Sequence, residues 1–238
     1  MIRRVLVIAW AAAAAGPAPG AAQAPVYRAA WSSWAVAVGA GGFAALPGIL
    51  RLPRGAPPCA PCDPAGLPGI DRWVVGLESH GAATGSDVLL LGVAGGALVA
   101  SVSGVSADRA RGDAAVLVNA VAWTSLATEW TKALIHRSRP VLYTAQAASA
   151  ARDRDNRRSF PSGHATAAFA LATSYAVMAQ RQHLPHAIRN DVLLFSGAAG
   201  VGALRIAAGR HFTTDVLGGA LLGAGVGWLT AHLYPTRP

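Results

Sequence analysis

The sequence has few acidic residues and few charged residues of any kind. Aspartate and glutamate number 11 against 20 lysines and arginines, which gives a formal net charge of +9. Charged residues make up 13% of the chain and hydrophobic residues 53%, whereas soluble domains have about 25% charged residues. A basic chain of this kind suits nucleic acid, anionic lipid or a phosphorylated substrate. Nucleic acid is the least favoured of these partners, because the long uncharged segments leave little surface that could follow a phosphate backbone.

Cysteine is also scarce, since Cys59 and Cys62 in PPCAPCDP are the only two. A structural zinc site normally needs four ligands, and no second Cys/His pair with matching spacing occurs. A thioredoxin-like pair opens a helix after a strand, whereas this pair lies in a proline-rich loop. We therefore favour a local disulfide, which an exported protein would retain.

The alternating pattern of half-buried strands is missing as well. Uncharged or nearly uncharged segments recur, and each is longer than the 4–8 residues usual for a buried strand. They are 29–50, 88–107, 114–128, 165–180, 192–204 and 216–231. We predict an all-α fold, a bundle of about six helices embedded in a membrane. In the last segment Gly219, Gly223 and Gly227 recur every four residues, which predicts the close approach of another helix.

The N-terminal stretch has the layout of a secretory signal peptide. Arg3 and Arg4 precede an apolar run at 5–15 and then small residues, and this run is short for a membrane span of about 20 residues. The predicted organisation is a signal peptide at 1–22, an N-terminal helix and cysteine-containing loop at 23–87, and a helical core at 88–238.

Three clusters of polar residues lie in loops that an alternating topology brings to one face. In KALIHRSRP, Lys132 and Arg139 are seven residues apart and would point to nearly the same side of a helix. In PSGH, residues 161–164, a turn precedes a helix whose first N–H groups attract anions.

The third cluster is LRIAAGRHFTTD, which contains Arg205, His211 and Asp215. The last two residues are four apart, so in a helical turn the carboxylate would reach the imidazole. The three clusters together supply what attack on a phosphate ester needs. Cations and N–H groups neutralise the phosphate oxygens, a neutral histidine oriented by a carboxylate attacks phosphorus, and a second histidine protonates the leaving oxygen.

These motifs resemble the signature of the type 2 phosphatidic acid phosphatase family. That family belongs to a superfamily shared with vanadium haloperoxidases. That signature is Lys-x6-Arg-Pro, Pro-Ser-Gly-His and Ser-Arg-x5-His-x3-Asp. The sequence departs from it at Leu204, where the family usually has a small or hydroxyl residue. The resemblance covers roughly residues 88 to 235.

The resemblance implies a role for each matching residue. His211 would be the nucleophile, Asp215 would orient it, and His164 would be the general acid. The residues implied in phosphate binding are Lys132, Arg139, Ser162, Gly163 and Arg205. The family needs no metal and no other cofactor. Ser162 also has two other readings, as a helix cap or as a serine-hydrolase nucleophile, although the Gly-x-Ser-x-Gly elbow of such hydrolases is missing.

The sequence therefore predicts a metal-independent, acid-type phosphatase that hydrolyses a phosphomonoester or pyrophosphate of a lipid through a phosphohistidine. The alternatives are a vanadate-dependent haloperoxidase and a non-catalytic phosphate-binding membrane protein. We expect the protein in a bacterial-type cell envelope, either in the inner membrane with a periplasm-facing site or exported to the periplasm. In the favoured topology, segment 29–50 lies on the membrane surface instead of crossing it.

Overall fold

The computed structural model describes residues 26–237, and this part of the chain is helical apart from a two-stranded pair formed by its ends. The predicted signal peptide lies outside the described residues. Six long helices correspond to the six apolar segments, so the predicted all-α bundle is confirmed. They are α1 (Trp31–Ile49), α3 (His80–Val102), α4 (Ala107–Ile135), α6 (Gly163–Gln182), α7 (Ala187–Ala207) and α8 (Thr213–Leu233).

Shorter elements fill the connections. Helices α2 (Gly69–Arg72) and α5 (Ala147–Ala150) have four residues each, and 3₁₀ turns form at Pro64–Gly66, Pro140–Tyr143 and Arg154–Arg157. Strand β1 (Val26–Tyr27) pairs antiparallel with β2 (Thr236–Arg237).

Helix α6 lies at the centre of the bundle, packed against α3, α4, α7 and α8, while α1 packs on α4. Alanines dominate the buried surface of α6, where Ala168, Ala170 and Ala172 have no exposed area. Small side chains let neighbouring helices approach from every direction, so one helix can contact four others.

The glycine stripe of α8 faces α6, as the spacing predicted. A Cβ atom at Gly219 would lie 2.7 Å from the carbonyl oxygen of Ser162, and one at Gly223 would lie 2.1 Å from that of Thr166. At Gly227 the corresponding distance, to the Ala170 carbonyl oxygen, is 2.5 Å. Ordinary Cβ contacts are longer than this, so only glycine permits the observed approach of the two helices.

Helix α1 packs along α4 from one end of the bundle to the other, so it would cross any membrane that the bundle spans, whereas the sequence suggested a segment on the membrane surface. The Asn119 side chain donates a hydrogen bond to the Ser33 carbonyl at 3.1 Å, and the Trp130 indole donates to the Phe43 carbonyl, also at 3.1 Å. Helices α1 and α4 are therefore parallel. The β1–β2 pairing places residues 26 and 237 together, at the end of the bundle where α1 begins.

Many large apolar side chains point outward from the helices. The exposed fraction is 75% for Val38, 72% for Leu91, 82% for Ile188 and 77% for Leu221. Three helices, Trp31–Ile49, His80–Val102 and Thr213–Leu233, are long and apolar enough to cross a bilayer. These features are compatible with membrane insertion.

The two cysteines form a disulfide, as the sequence favoured, with Cα atoms 4.8 Å apart. The backbone N–H of Cys62 donates to the Leu142 carbonyl at 2.8 Å. The disulfide loop is thereby attached to the 3₁₀ turn that follows Arg139, at the end of the bundle where α1 finishes and α3 begins.

Candidate active site

The three motifs meet at one end of the bundle. Helix α4 ends at Ile135, because His136 adopts a left-handed conformation with φ 55° and its N–H bonds to the Lys132 carbonyl. Arg139 therefore lies in an extended segment beyond the helix, and the predicted shared helical face for Lys132 and Arg139 is wrong. Both residues nevertheless reach the same end of the bundle, since the chain returns through the turn Pro140–Tyr143.

The PSGH motif starts helix α6 and contacts both other motifs. The backbone N–H of Ser162 donates to the Asp215 carbonyl at 3.0 Å. A Cβ atom at Gly163 would lie 3.3 Å from Lys132 Nζ, so the ammonium group sits against the first turn of α6. Ser162 is at the N-cap position, but its side chain caps nothing. This leaves the helix-cap reading of Ser162 without support.

His211 lies in the turn before α8, outside the helix in which the sequence analysis placed it. Its Nδ1 is 2.8 Å from the Ser159 carbonyl oxygen, whereas the nearest Asp215 oxygen is 3.8 Å away. A carbonyl oxygen can only accept a hydrogen bond, so Nδ1 carries the proton of the neutral ring. The lone pair is then on Nε2, which is the atom available to attack phosphorus.

Asp215 is the third residue of α8 and is fully buried. Its Oδ2 accepts hydrogen bonds from the Ser159 hydroxyl at 2.5 Å and from the Phe212 N–H at 2.8 Å. Its Oδ1 accepts from Arg137 Nη1 at 2.6 Å. The carboxylate therefore holds His211 largely through Ser159, which contacts both residues, instead of through the direct bond that was expected.

Burial lowers the pKa of His211 to about 4, because the charged imidazolium would lose its hydration. The nearby charges of Arg139 and Arg205 also lower the pKa of His211, while Asp215 opposes the shift. The imidazole is therefore neutral at physiological pH, as a nucleophile must be.

His164 and Arg205 share a partner that the sequence analysis missed. The Oδ1 atom of Asp87 is 2.7 Å from His164 Nε2 and 3.7 Å from Arg205 Nη1. Arg205 also donates a hydrogen bond to the Ser86 hydroxyl at 3.3 Å. Two adjacent residues near the start of α3 thus orient two motif residues that come from α6 and α7.

The other two motif cations also have carboxylate partners from outside the motifs. Lys132 Nζ lies 3.0 Å from Glu129 Oε1, and Arg139 Nη2 lies 2.7 Å from Asp155 Oδ2. Glu129 also accepts a hydrogen bond from Arg158. The i,i+3 spacing of Glu129 and Lys132 could have identified the first pair, but Asp87 and Asp155 approach through tertiary contacts that no local pattern indicates.

Several buried polar atoms of these motif residues have no hydrogen-bond partner within residues 26–237. They are Arg139 Nε, Arg205 Nε and Ser162 Oγ. Buried donors are normally satisfied, and phosphate oxygens could satisfy donors of this type. Leu204, the departure from the family signature, packs close to Gly85 on α3, with its Cδ1 3.6 Å from the position of a Cβ there.

A cavity of about 240 Å³ opens beside Arg139. Its wall includes Gly209, whose φ is +65° and where a Cβ atom would lie 1.8 Å from the Leu77 carbonyl oxygen. Only glycine fits this position, so the loop at 76–80 can close one side of the cavity. Arg210 lines the cavity next to Arg139. In the part of the chain that the structure describes, no group of three or more histidine, cysteine or acidic side chains could hold a metal ion.

The sequence pattern of the PAP2 superfamily matches residues 113–238, just over half of the chain, including all three motifs. The chain belongs to the PAP2 superfamily. Members of the PAP2 superfamily are phosphatases or haloperoxidases, so phosphoryl-transfer chemistry on a phosphorylated substrate is supported at that level. No curated protein matches the chain. Ser86 and Asp87 lie before the matched region.

Proposed function

We propose that this chain is a membrane-associated phosphatase that hydrolyses a phosphomonoester or pyrophosphate of a lipid through a phosphohistidine on His211. The observation that carries the proposal is the hydrogen bond from His211 Nδ1 to the Ser159 carbonyl, which leaves Nε2 as the basic atom of a buried, neutral ring. A histidine used only for packing would not need a fixed tautomer next to two arginines.

In the first step, the phosphoryl group binds among Lys132, Arg139 and Arg205, and the N–H groups at the start of α6 bind its oxygens. These donors stabilise the negative charge that the transition state spreads over the non-bridging oxygens. Nε2 of His211 forms a bond to phosphorus while the bond from phosphorus to the ester oxygen breaks. The leaving oxygen takes a proton from His164.

In the second step, the neutral His164 accepts a proton from a water molecule, whose oxygen attacks phosphorus. The N–P bond breaks, inorganic phosphate is released and both histidines regain their starting states. Asp87 suits His164 to this exchange, because its carboxylate 2.7 Å from Nε2 stabilises the imidazolium. Burial and the neighbouring Arg205 charge lower the pKa of His164, and the Asp87 carboxylate opposes this shift, so His164 can both donate and accept a proton.

A lipid substrate is supported by the apolar surface close to the site. Exposed apolar side chains lie on or next to α1, α2, α3, α4 and α8 near this end of the bundle: Ile49 (70%), Trp73 (58%), Val88 (64%), Leu134 (73%) and Leu217 (51%). A membrane surface at this level would bring a lipid phosphate to the motif cations. A soluble substrate would not require exposed apolar side chains around the site.

We further propose that the site end faces the periplasm. The Cys59–Cys62 disulfide belongs to this end, and disulfides persist in oxidising compartments. Because α1 runs the length of the bundle, residue 26 is then on the cytoplasmic side of a membrane-spanning bundle.

The test is phosphate release by the purified protein from phosphatidic acid, phosphatidylglycerol phosphate, isoprenoid pyrophosphates and the soluble ester p-nitrophenyl phosphate. His211→Ala should lower turnover on the order of a thousandfold or more. His232→Ala is the matched control, because it makes the same change on the exposed opposite end of α8. Wild-type turnover by His211→Ala would contradict the proposed nucleophile.

The same preparation separates the alternative activities. Acid-labile ³²P that appears on the wild type and is missing from His211→Ala supports the phosphohistidine. Bromide oxidation with vanadate and peroxide, in the absence of any phosphate release, would instead identify a haloperoxidase. Phosphate binding without turnover on every substrate would identify a binding protein.

A further inference from the structure

Another acidic residue outside the motifs, Asp71 on helix α2, lies against the start of α8. Its Oδ1 accepts a hydrogen bond from the backbone N–H of Thr214 at 2.9 Å. Its Oδ2 accepts from the Thr214 hydroxyl at 2.6 Å and from Arg137 Nη2 at 2.7 Å. The side chain of Asp71 has no exposed area. A buried carboxylate is costly unless its oxygens are satisfied in this way.

Arg137 connects this carboxylate to the catalytic one. While Nη2 binds Asp71, Nη1 donates to Asp215 Oδ1 and to the Thr214 hydroxyl, both at 2.6 Å. The guanidinium also lies over the Phe212 ring, 4.7 Å from its centroid. A planar guanidinium held at both edges and on one face has very little freedom to turn.

The path from Asp71 to the nucleophile is short. Arg137 holds Oδ1 of Asp215, and the other oxygen of Asp215 accepts the hydroxyl proton of Ser159. The Ser159 carbonyl in turn accepts the Nδ1 proton of His211. Each contact fixes the orientation of the next group, and the last one fixes the direction of the Nε2 lone pair.

We propose that Asp71 is a positioning residue for the reaction, which acts through Arg137 to hold Asp215, and thereby His211, in the geometry of attack. The inference rests on the proposed function. It adds a residue that lies before the region matching the PAP2 superfamily, and it gives the chain before α3 a part in the chemistry.

A positioning role and a merely structural role predict different kinetics. Asp71 does not contact the phosphate-binding residues Lys132, Arg139 and Arg205. If it only positions the nucleophile, loss of its charge lowers kcat and leaves phosphate affinity unchanged. If it only supports the fold, kcat, phosphate affinity and thermal stability should decline together.

The experiment measures kcat, and the inhibition constant of inorganic phosphate, for Asp71→Asn in the full-length protein. We expect kcat to fall by about a hundredfold, which is the loss that small misplacements at a reacting centre produce, at an unchanged inhibition constant. Asp63→Asn is the matched control, because it removes a carboxylate from an exposed cap in the same loop. It should leave both quantities unchanged.

A double-mutant cycle tests whether Asp71 acts through Arg137. In an Arg137→Lys background a single ammonium cannot bind both carboxylates, so adding Asp71→Asn should cost much less than it does alone. Independent losses that multiply would overturn the inference, as would wild-type kcat in Asp71→Asn.

Two further variants distinguish failure of the inference from a folding defect and from failure of the proposed function. If Asp71→Asn is not recovered folded, Arg137→Lys replaces it, because a single ammonium cannot bind Asp71 and Asp215 together. Wild-type kcat in Arg137→Lys would then overturn the inference. His211→Ala is assayed in parallel. If His211→Ala keeps its activity, the proposed function itself fails; if only the Asp71 variant keeps it, the inference alone fails.

Discussion

Replacement of Gly223 by alanine should damage both stability and catalysis, because this glycine sets the distance between α8 and α6. The added Cβ would lie 2.1 Å from the Thr166 carbonyl oxygen, which is backbone and cannot rotate away. The two helices would have to separate by about 1 Å to restore an ordinary contact. Overpacking of this kind costs about 1–3 kcal/mol, or roughly 2–12 °C in Tm for a chain of this size.

The same displacement reaches the catalytic residues. Helix α6 begins with the PSGH motif, and the Ser162 N–H donates to the carbonyl oxygen of Asp215, the third residue of α8, at 3.0 Å. If the helices separate, the phosphate-binding N–H groups move away from His211. A misplacement of about 1 Å lowers activity roughly a hundredfold.

The assay compares phosphate release and thermal unfolding in detergent for Gly223→Ala and Gly225→Ala. Gly225 is on the same helix, but a Cβ atom there would have nothing within 4 Å. Alanine at Gly225 should therefore be neutral or stabilise the helix by up to about 1 kcal/mol. Equal behaviour of the two variants would refute the argument that the glycine stripe positions the site.

Three further predictions concern the chemistry and the orientation of the site. Because burial lowers the pKa of His211 to about 4, the nucleophile stays neutral as the pH falls through 6.5. In an NMR titration, the imidazole signal that is missing from His211→Ala should therefore shift near pH 4, and a midpoint near 6.5 would contradict a buried nucleophile. Asp87→Asn should lower kcat by about tenfold or more for an alkyl phosphate. The loss should be much smaller for p-nitrophenyl phosphate, because its leaving group needs no proton. Equal losses of kcat on the two substrates would count against His164 as the general acid that Asp87 supports. In intact cells, a membrane-impermeant maleimide should label Ser149→Cys, at the site end of the bundle, and not Ser103→Cys, at the opposite end; both positions are exposed. The reverse labelling pattern would place the site in the cytoplasm.

The helical core could be predicted from the sequence because its signal is local. Uncharged segments of 13 or more residues are too long for buried strands, and each corresponds in most of its length to one of the six long helices. The spacing of Gly219, Gly223 and Gly227 also indicated a close helix contact before its partner was known. The path of α1 could not be predicted in this way. Its glycines and Pro47 suggested a surface segment, whereas contacts of Ser33 and Phe43 with α4 keep it along the bundle.

The motif residues share one end of the bundle, as an alternating topology predicts, but the local geometry that their spacing predicts is wrong. Spacing arguments placed Arg139 on a helix and His211 in a helical turn. Both instead lie in irregular segments, after His136 leaves the helix and before α8 begins. The contacts that hold these segments join residues far apart in the sequence. Arg137 and Asp71, for example, are 66 residues apart. Helical periodicity cannot predict such contacts.

The acidic residues of the site divide into two groups by exposure, and this division bears on how a basic site binds an anion. Asp87 and Asp155, which pair with motif cations, have side chains that are 59% and 53% exposed. Such carboxylates can turn toward water at little cost when phosphate oxygens approach the cations. Asp71 and Asp215 have no exposed area, so moving either would leave a buried charge without partners, which is strongly unfavourable. The exposed acids therefore suit exchange with substrate, and the buried acids suit holding His211 still while that exchange occurs.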